Sequence, residues 1–201
     1  MSGYKIKEYD PEKVFFTSDL HFGHDAIIGY CGRPFKDSSE MNSVLIKNWN
    51  ETVPSDGIVF DLGDFALSGS SVWESCSSQL VYGEHHLIIG NHELQNFRPS
   101  YERLFTSVSM QQVIIVDGIT IFLNHYPYLC FGGAYKKDHS VWNLFGHVHT
   151  TRTGYDGKDS IRVHEYTFPT QYDVGVDLNG FKPVSFAEVK AIIDKRCQKT
   201  E

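Results

Sequence analysis

Five short segments of this 201-residue chain end apolar runs with side chains that bind metal ions: Asp19-Leu20-His21, Gly63-Asp64, Gly90-Asn91-His92-Glu93, Asn124-His125 and Gly146-His147-Val148-His149. Mixed carboxylate, imidazole and carboxamide donors suit divalent first-row cations. A pair of such ions needs about eight to ten donors, more than one helix or loop can present, so the donors must converge from several strand ends. The set reads as one dinuclear metal centre. In an extended segment the D-x-H and H-x-H spacings put the outer side chains on one side, unless a loop re-aims them.

A centre of this kind suits phosphate-ester hydrolysis. The ester's anionic oxygens repel a nucleophile, and its leaving group departs as an alkoxide. Two divalent ions about 3.5–4 Å apart neutralise the oxygens and lower the pKa of a bridging water.

The elements that must hold these residues are short. Val14 to Thr17 is a β-rich run that stops at Ser18-Asp19. A helix start at Ser38-Ser39-Glu40 precedes Met41, Val44, Leu45, Ile46 and Trp49 at helical spacing, ending at Pro54. Gly57 to Phe60 is a second strand feeding Gly63-Asp64, and His86 to Ile89 a third feeding Gly90-Asn91-His92-Glu93, with a helix from Trp73 to Tyr82 between them. Gln111 to Val116, the turn Asp117-Gly118 and Ile119 to Leu123 form a hairpin that delivers Asn124-His125. Val141 to Phe145 delivers the H-x-H segment. A turn at 155–158, a strand from Ile161 to Phe168 and an amphipathic helix from Ser185 to Arg196 complete the pattern. Alternating strands and helices followed by hairpins predict an α/β domain with two facing sheets and outer helices.

Composition bounds the rest. With 41% hydrophobic and 14% aromatic residues, the chain can bury one substantial core, so residues 1–201 are expected to form a single domain. A formal charge of −7 argues against an extended nucleic-acid duplex as partner, while an anionic small molecule remains compatible with bound cations. Cys31, Cys76, Cys130 and Cys197 are scattered without a C-x-x-C pair, which predicts reduced thiols. The polar start MSGYKIKEYDPEK and the lack of an apolar run of roughly 20 residues predict no membrane span and a cytoplasmic location.

The ordered motifs D-x-H, G-D, G-N-H-E, a single H and G-H-x-H resemble the calcineurin-like metallophosphoesterase superfamily, over about two-thirds of the chain from Asp19 to His149. The strings SDLHFGH, CGRPF, MNSVLIKNWN, LGD, HHLIIGNHE, HYP, GHVH and VGVDLNGFKPVSF are similar to a small single-domain bacterial and phage branch. The resemblance implies a four-layer α/β/β/α sandwich of two facing mixed sheets with outer helices. It also implies two divalent metal ions, manganese first, with iron, zinc, nickel or cobalt accepted by the same donors. The first ion would be held by Asp19, His21, Asp64 and His149, and the second by Asp64, Asn91, His125 and His147, with Asp64 bridging. His92 matches the family's general acid, and Glu93 would orient that imidazole or cap a helix. Protein Ser/Thr phosphatases extend G-D into G-D-x-V-D-R-G, whereas this chain continues Phe65-Ala66-Leu67-Ser68-Gly69, which disfavours that activity.

Arg33 in Cys31-Gly32-Arg33-Pro34-Phe35 is the candidate for gripping phosphate, since a guanidinium forks onto its oxygens, and His24 is a second candidate substrate contact. Tyr126, Tyr128, Phe131 and Tyr135 cluster near His125 and are expected to pack into the core rather than stack on a base; His85, His86, His139 and His164 are read as ordinary polar residues. The expected activity is hydrolysis of a phosphodiester, with nucleotide-derived diesters the class to test, through in-line attack of a metal-bridging hydroxide. Alternatives are a phosphomonoesterase, a nuclease on short single strands and, from another class, a non-catalytic metal- or ligand-binding scaffold.

Overall fold

The computed structural model describes residues 5–67, 69–149 and 166–198. The elements run β1 (Glu8–Tyr9), β2 (Val14–Thr17), α1 (Asp25–Cys31), α2 (Ser38–Thr52), β3 (Ile58–Asp61), α3 (Ser70–Ser77), β4 (Glu84–Ile88), α4 (Asn91–Asn96), a 3-10 helix (Pro99–Leu104), β5 (Ser107–Ser109), β6 (Gln112–Val116), β7 (Ile119–Leu123), β8 (Val141–Phe145), β9 (Gln171–Asp173), β10 (Val184–Ser185) and α5 (Phe186–Cys197). They build two five-stranded sheets, one in the order β1-β6-β7-β8-β9 and the other β10-β2-β3-β4-β5. Both are mixed: β6 and β7 pair antiparallel and β7, β8 and β9 parallel, while β10 runs antiparallel to the parallel set β2 to β5.

Strand alternation explains why the sheets face each other. Phe16, Phe60, Leu62 and Ile88 point inward against Ile114, Ile121, Leu123, Trp142 and Leu144 of the opposing sheet, forming one buried cluster. Their neighbours Phe15, Val59 and Leu87 point the other way, into a second cluster with Met41, Leu45 and Trp49 of α2 and Trp73 of α3. That outer layer carries α1 to α3. The closing helix α5 contributes Phe186, Val189 and Ile193 to the inter-sheet cluster, so it seals an end of the sandwich core. Across the outer face of the first sheet, Phe131, Ala134 and Val141 form a smaller cluster joined by Phe122, Tyr128 and Phe168.

Most expected elements occur where the residue pattern puts them. The helix over Met41 and Trp49 is capped by Asp37, whose side chain accepts from the Glu40 N–H, and α5 opens with a reciprocal Ser185/Glu188 capping box. The helix expected to reach Tyr82 stops at Ser77, because Ser78 Oγ and Gln79 Nε2 both donate to the Ser75 carbonyl at 3.1 and 2.8 Å, supplanting helical bonding. The third strand begins at Glu84, earlier than the apolar run. His86 is built into the sheet, its ring stacked 4.9 Å from Phe60 and hydrogen-bonded to Ser107 and Glu84. The turn at 155–158 and most of the strand expected over 161–168 lie outside the described residues.

All four cysteines are thiols, with Cys31, Cys76 and Cys197 buried and Cys130 exposed. Among the described residues no helix is long and apolar enough to cross a membrane.

Trp49 is fully buried, and its Nε1 donates to the Val81 carbonyl at 2.7 Å, tying α2 to the segment before β4. Trp49→Ala should destabilise the fold by ~3–5 kcal/mol. Chemical denaturation should show this as a lower midpoint; a midpoint equal to wild type would mean that α2 does not anchor the outer layer.

Candidate metal centre

The seven candidate ligands leave the C-terminal ends of β2, β3, β7 and β8 and open α4 after β4, so both sheets contribute. The loops are laced together by main-chain bonds: Asp19 N–H donates to the Gly63 carbonyl and His21 N–H to the Asp64 carbonyl, both at 2.9 Å, and Gly146 N–H donates to the His125 carbonyl at 2.9 Å. The D-x-H and H-x-H segments are not extended. Asp19, His21, Asp64, His147 and His149 all have left-handed backbones, with φ of 60°, 53°, 58°, 70° and 44°. The re-aiming is therefore done by the loop backbone, at a cost of roughly 1–2 kcal/mol per residue that Asp tolerates better than most types.

The motif glycines have steric reasons. A Cβ on Gly146 would overlap Ser18 Oγ and come to 2.5 Å from Asp19 Oδ2, while one on Gly90 would overlap Asp64 Oδ1. Each glycine is thus the space through which a ligand carboxylate passes.

Asp19, His21 and His149 place one donor atom each within 4.8 Å of one another, and Asp64, His125 and His147 do the same. Asp64 links the groups, because its Oδ2 is 3.6 Å from His21 Nε2 and 3.6 Å from His125 Nε2. Asn91 Oδ1 is 3.1 Å from His125 Nε2, on the second group's side. Both carboxylates divide their oxygens in the same way. Asp19 Oδ2 accepts the His147 N–H and Asp64 Oδ1 accepts the His92 N–H, each at 2.9 Å, leaving the other oxygen of each for the interior of the site.

The electrostatics call for positive charge. Burial, then the charges of Asp19 and Glu93, push Asp64 up to about 9. Burial holds His21 well below its ordinary value, helped by the neighbouring His149 and Arg33. Burial also opposes charge on His149, yet the Asp19 charge and the Asp177 hydrogen bond raise it to about 11. Asp19 Oδ1 is buried without a hydrogen-bond partner, and His21 Nε2 faces His149 Nε2 at 3.3 Å. These donors fit divalent ions.

His92 is a quarter exposed, its Nε2 3.8 Å from Asp64 Oδ2 and its ring edge-on to His21 with centroids 4.9 Å apart. Burial lowers its pKa, with the Asp19 charge opposing. His24 lies alongside, its Nδ1 3.4 Å from His21 Nδ1 and its ring 5.5 Å from His92; burial and then His92 lower it to about 4. Glu93 does not orient His92. Its carboxylate accepts the N–H groups of Asp64, Phe65 and Gly90 at 2.7, 2.9 and 2.9 Å, and so holds the G-D loop against α4.

Arg33 corrects the sequence expectation, because its guanidinium is not open to a substrate. It is 4% exposed, and its Nε and Nη2 fork onto Asp177 at 2.8 Å each. Nη2 also donates to the Asp19 carbonyl at 2.7 Å, while Nη1 donates to the Leu20 carbonyl at 3.1 Å and Met41 Sδ at 3.3 Å. All five N–H groups are engaged. Asp177, which motif spacing did not mark, in turn accepts from His149 Nδ1 at 2.7 Å. Burial works against its charge, but the His149 hydrogen bond and the Arg33 guanidinium hold its carboxyl below the usual range.

The aromatic cluster also divides. Phe131 is in the core as expected, whereas Tyr126 is 39% exposed with its ring 4.7 Å from His147 and 5.0 Å from His125.

Two facing mixed sheets with this donor cluster at one edge make an α/β sandwich whose candidate site is built from both sheets. No protein-family model matches the chain. It belongs to the family of the uncharacterized protein MJ1445 of Methanocaldococcus jannaschii, being 32% identical to it over 190 residues that cover 91% of this chain and 92% of the relative. The Gene 66 protein of Mycobacterium phage D29 is 27% identical over 189 residues, covering 82% of this chain and 87% of the phage protein. Among solved structures, the protein of unknown function AQ665 from Aquifex aeolicus shares the fold, with a TM-score of 0.66 at 24% identity over 89% of this chain and 98% of that one.

Gly146→Ala should push the Asp19 carboxylate and Ser18 away from residue 146 and lower divalent-ion affinity by about 10–100-fold. Titration of the stripped protein with Mn²⁺ measures this, alongside a circular dichroism spectrum to establish that the fold is retained. Unchanged affinity in a folded variant would mean that the close approach to Asp19 is not needed for binding.

Proposed function

We propose that this chain is a dinuclear metal-dependent phosphoesterase whose preferred substrate is a small, nucleotide-derived phosphodiester. The observation that carries this reading is the sharing of Asp64 Oδ2 between two donor groups, 3.6 Å from an imidazole nitrogen of each. Asp19, His21, Asp64 and His149 would hold one ion and Asp64, Asn91, His125 and His147 the other, with manganese the first to test. When bound, such a pair neutralises phosphoryl oxygens and makes water a nucleophile near neutral pH.

The protein's own groups do the rest. His92 stands at the exposed side of the donor cluster, where its protonated Nε2 donates to the departing oxygen. His24, beside His92, lines the same rim and takes the role of substrate contact that Arg33 cannot fill. A diester presents one negative charge and a poor alkoxide leaving group, which suits a two-ion site paired with an acid. Tyr126 offers an exposed ring face beside His147 on which a base or other planar group can stack.

With Mn²⁺, the protein should turn over bis-p-nitrophenyl phosphate faster than p-nitrophenyl phosphate. His92→Ala should lower kcat ~10²–10⁴-fold while both ions remain by elemental analysis, because the residue-92 main-chain N–H still holds Asp64 Oδ1. Inactivity on both esters with Mn²⁺, Ni²⁺ and Zn²⁺ would overturn the reading, and an indifferent His92→Ala would favour a binding scaffold.

Tyr126→Ala should raise KM for a dinucleotide ~10-fold, the loss of one stacked base, with kcat little changed. Equal KM values would remove the nucleotide preference.

A further inference from the structure

The two donor groups are supported differently from behind. In the second, His125 Nδ1 donates to a neutral main-chain group, the Leu62 carbonyl, at 2.7 Å. In the first, His149 Nδ1 meets the Asp177 carboxylate at the same distance, and that carboxylate is fixed by Arg33. The Asp177 side chain is 2% exposed and that of Arg33 is fully enclosed, so neither is a rim group recruited by solvent. The guanidinium reaches further, since it also holds the carbonyls of Asp19 and Leu20 inside the D-x-H loop. One cation thus fixes the main chain of Asp19 directly and the ring of His149 through Asp177. Those are two of the three donors in the first group.

We infer that Arg33 and Asp177 form a buried clamp that positions the donors of the first ion site and leaves the second site to its own supports. The inference rests on the two-ion reading above. Asp177 acts in two ways: it fixes the ring so that His149 Nε2 faces the site, and its negative charge makes that nitrogen a better donor. Neither residue touches substrate, so both are positioning residues. The clamp also explains why the C-G-R-P-F segment and the Val176-Asp177 segment, far apart in the chain, meet behind the same histidine.

Asp177→Asn separates these contributions, because the carboxamide oxygen can still accept from His149 Nδ1 while the charge is lost. It leaves the buried Arg33 short of a counter-ion, so Arg33→Gln combined with Asp177→Asn serves as a second variant without either charge. Each stripped protein is titrated with Mn²⁺ by calorimetry and by electron paramagnetic resonance, which separates lone from spin-coupled ions, and thermal melting reports folding. The expected result is an affinity loss of ~10–100-fold at one of two sites in both variants, the other site retaining its affinity, so that coupled pairs form only at higher Mn²⁺. In wild type, ¹⁵N-edited spectra should show a far-downfield His149 Nδ1–H resonance that moves upfield in Asp177→Asn. Wild-type affinity at both sites in folded Asp177→Asn, or in the double variant, would reduce the clamp to a packing device and overturn the inference while leaving the phosphoesterase reading intact. A wild-type protein that binds no divalent ion would instead overturn that reading and the clamp with it.

Discussion

The carboxylate of Asp64 sets the terms for the whole open edge of the sandwich. It is almost completely buried, close to Asp19 and Glu93, and surrounded by imidazoles. Leaving a negative charge there is costly unless hydrogen bonds or cations compensate it. The protein supplies part of the compensation through one main-chain N–H on Oδ1 and keeps Oδ2 directed between two sets of histidines. Asp19 follows the same scheme with the His147 N–H. A carboxylate with one oxygen anchored by backbone cannot swing, so its second oxygen is aimed before any ligand arrives.

Anchoring of this kind constrains the surrounding chain. The N–H groups that hold the carboxylates belong to residues that themselves carry site side chains, His147 and His92, so each of these two residues also places a carboxylate. Five ligand positions accept left-handed backbone to make this possible. The strain is sustained because strands β2, β3, β7 and β8 lie deep in the two buried clusters and their loops are cross-bonded, leaving the loop ends little freedom to relax.

Much of this was legible in the residues. The motif order named seven residues that the fold brings to one edge, and apolar runs located most of the strands that deliver them. The left-handed geometry of the ligand loops was not legible, because spacing in D-x-H and H-x-H is silent about φ. Arg33 was legible as important but misread. A guanidinium that forks onto phosphate forks equally well onto a carboxylate, and the sequence contained no sign that Asp177 would lie behind His149. That acid sits in the quoted string VGVDLNGFKPVSF, flanked by Val176 and Leu178, with no metal-binding neighbour to mark it. Helix α1 and the strands β1, β9 and β10 are short, and their positions follow from tertiary pairing rather than from their own periodicity.

Both donor groups draw on both sheets: Asp19 and His21 follow β2 and meet His149 after β8, while Asp64 follows β3 and meets His125 and His147 after β7 and β8. Ions held there would rivet the two halves of the sandwich across that edge. Resistance to unfolding would then rise with the logarithm of free metal concentration. The same ions would then set both the geometry of the site and the cohesion of the fold.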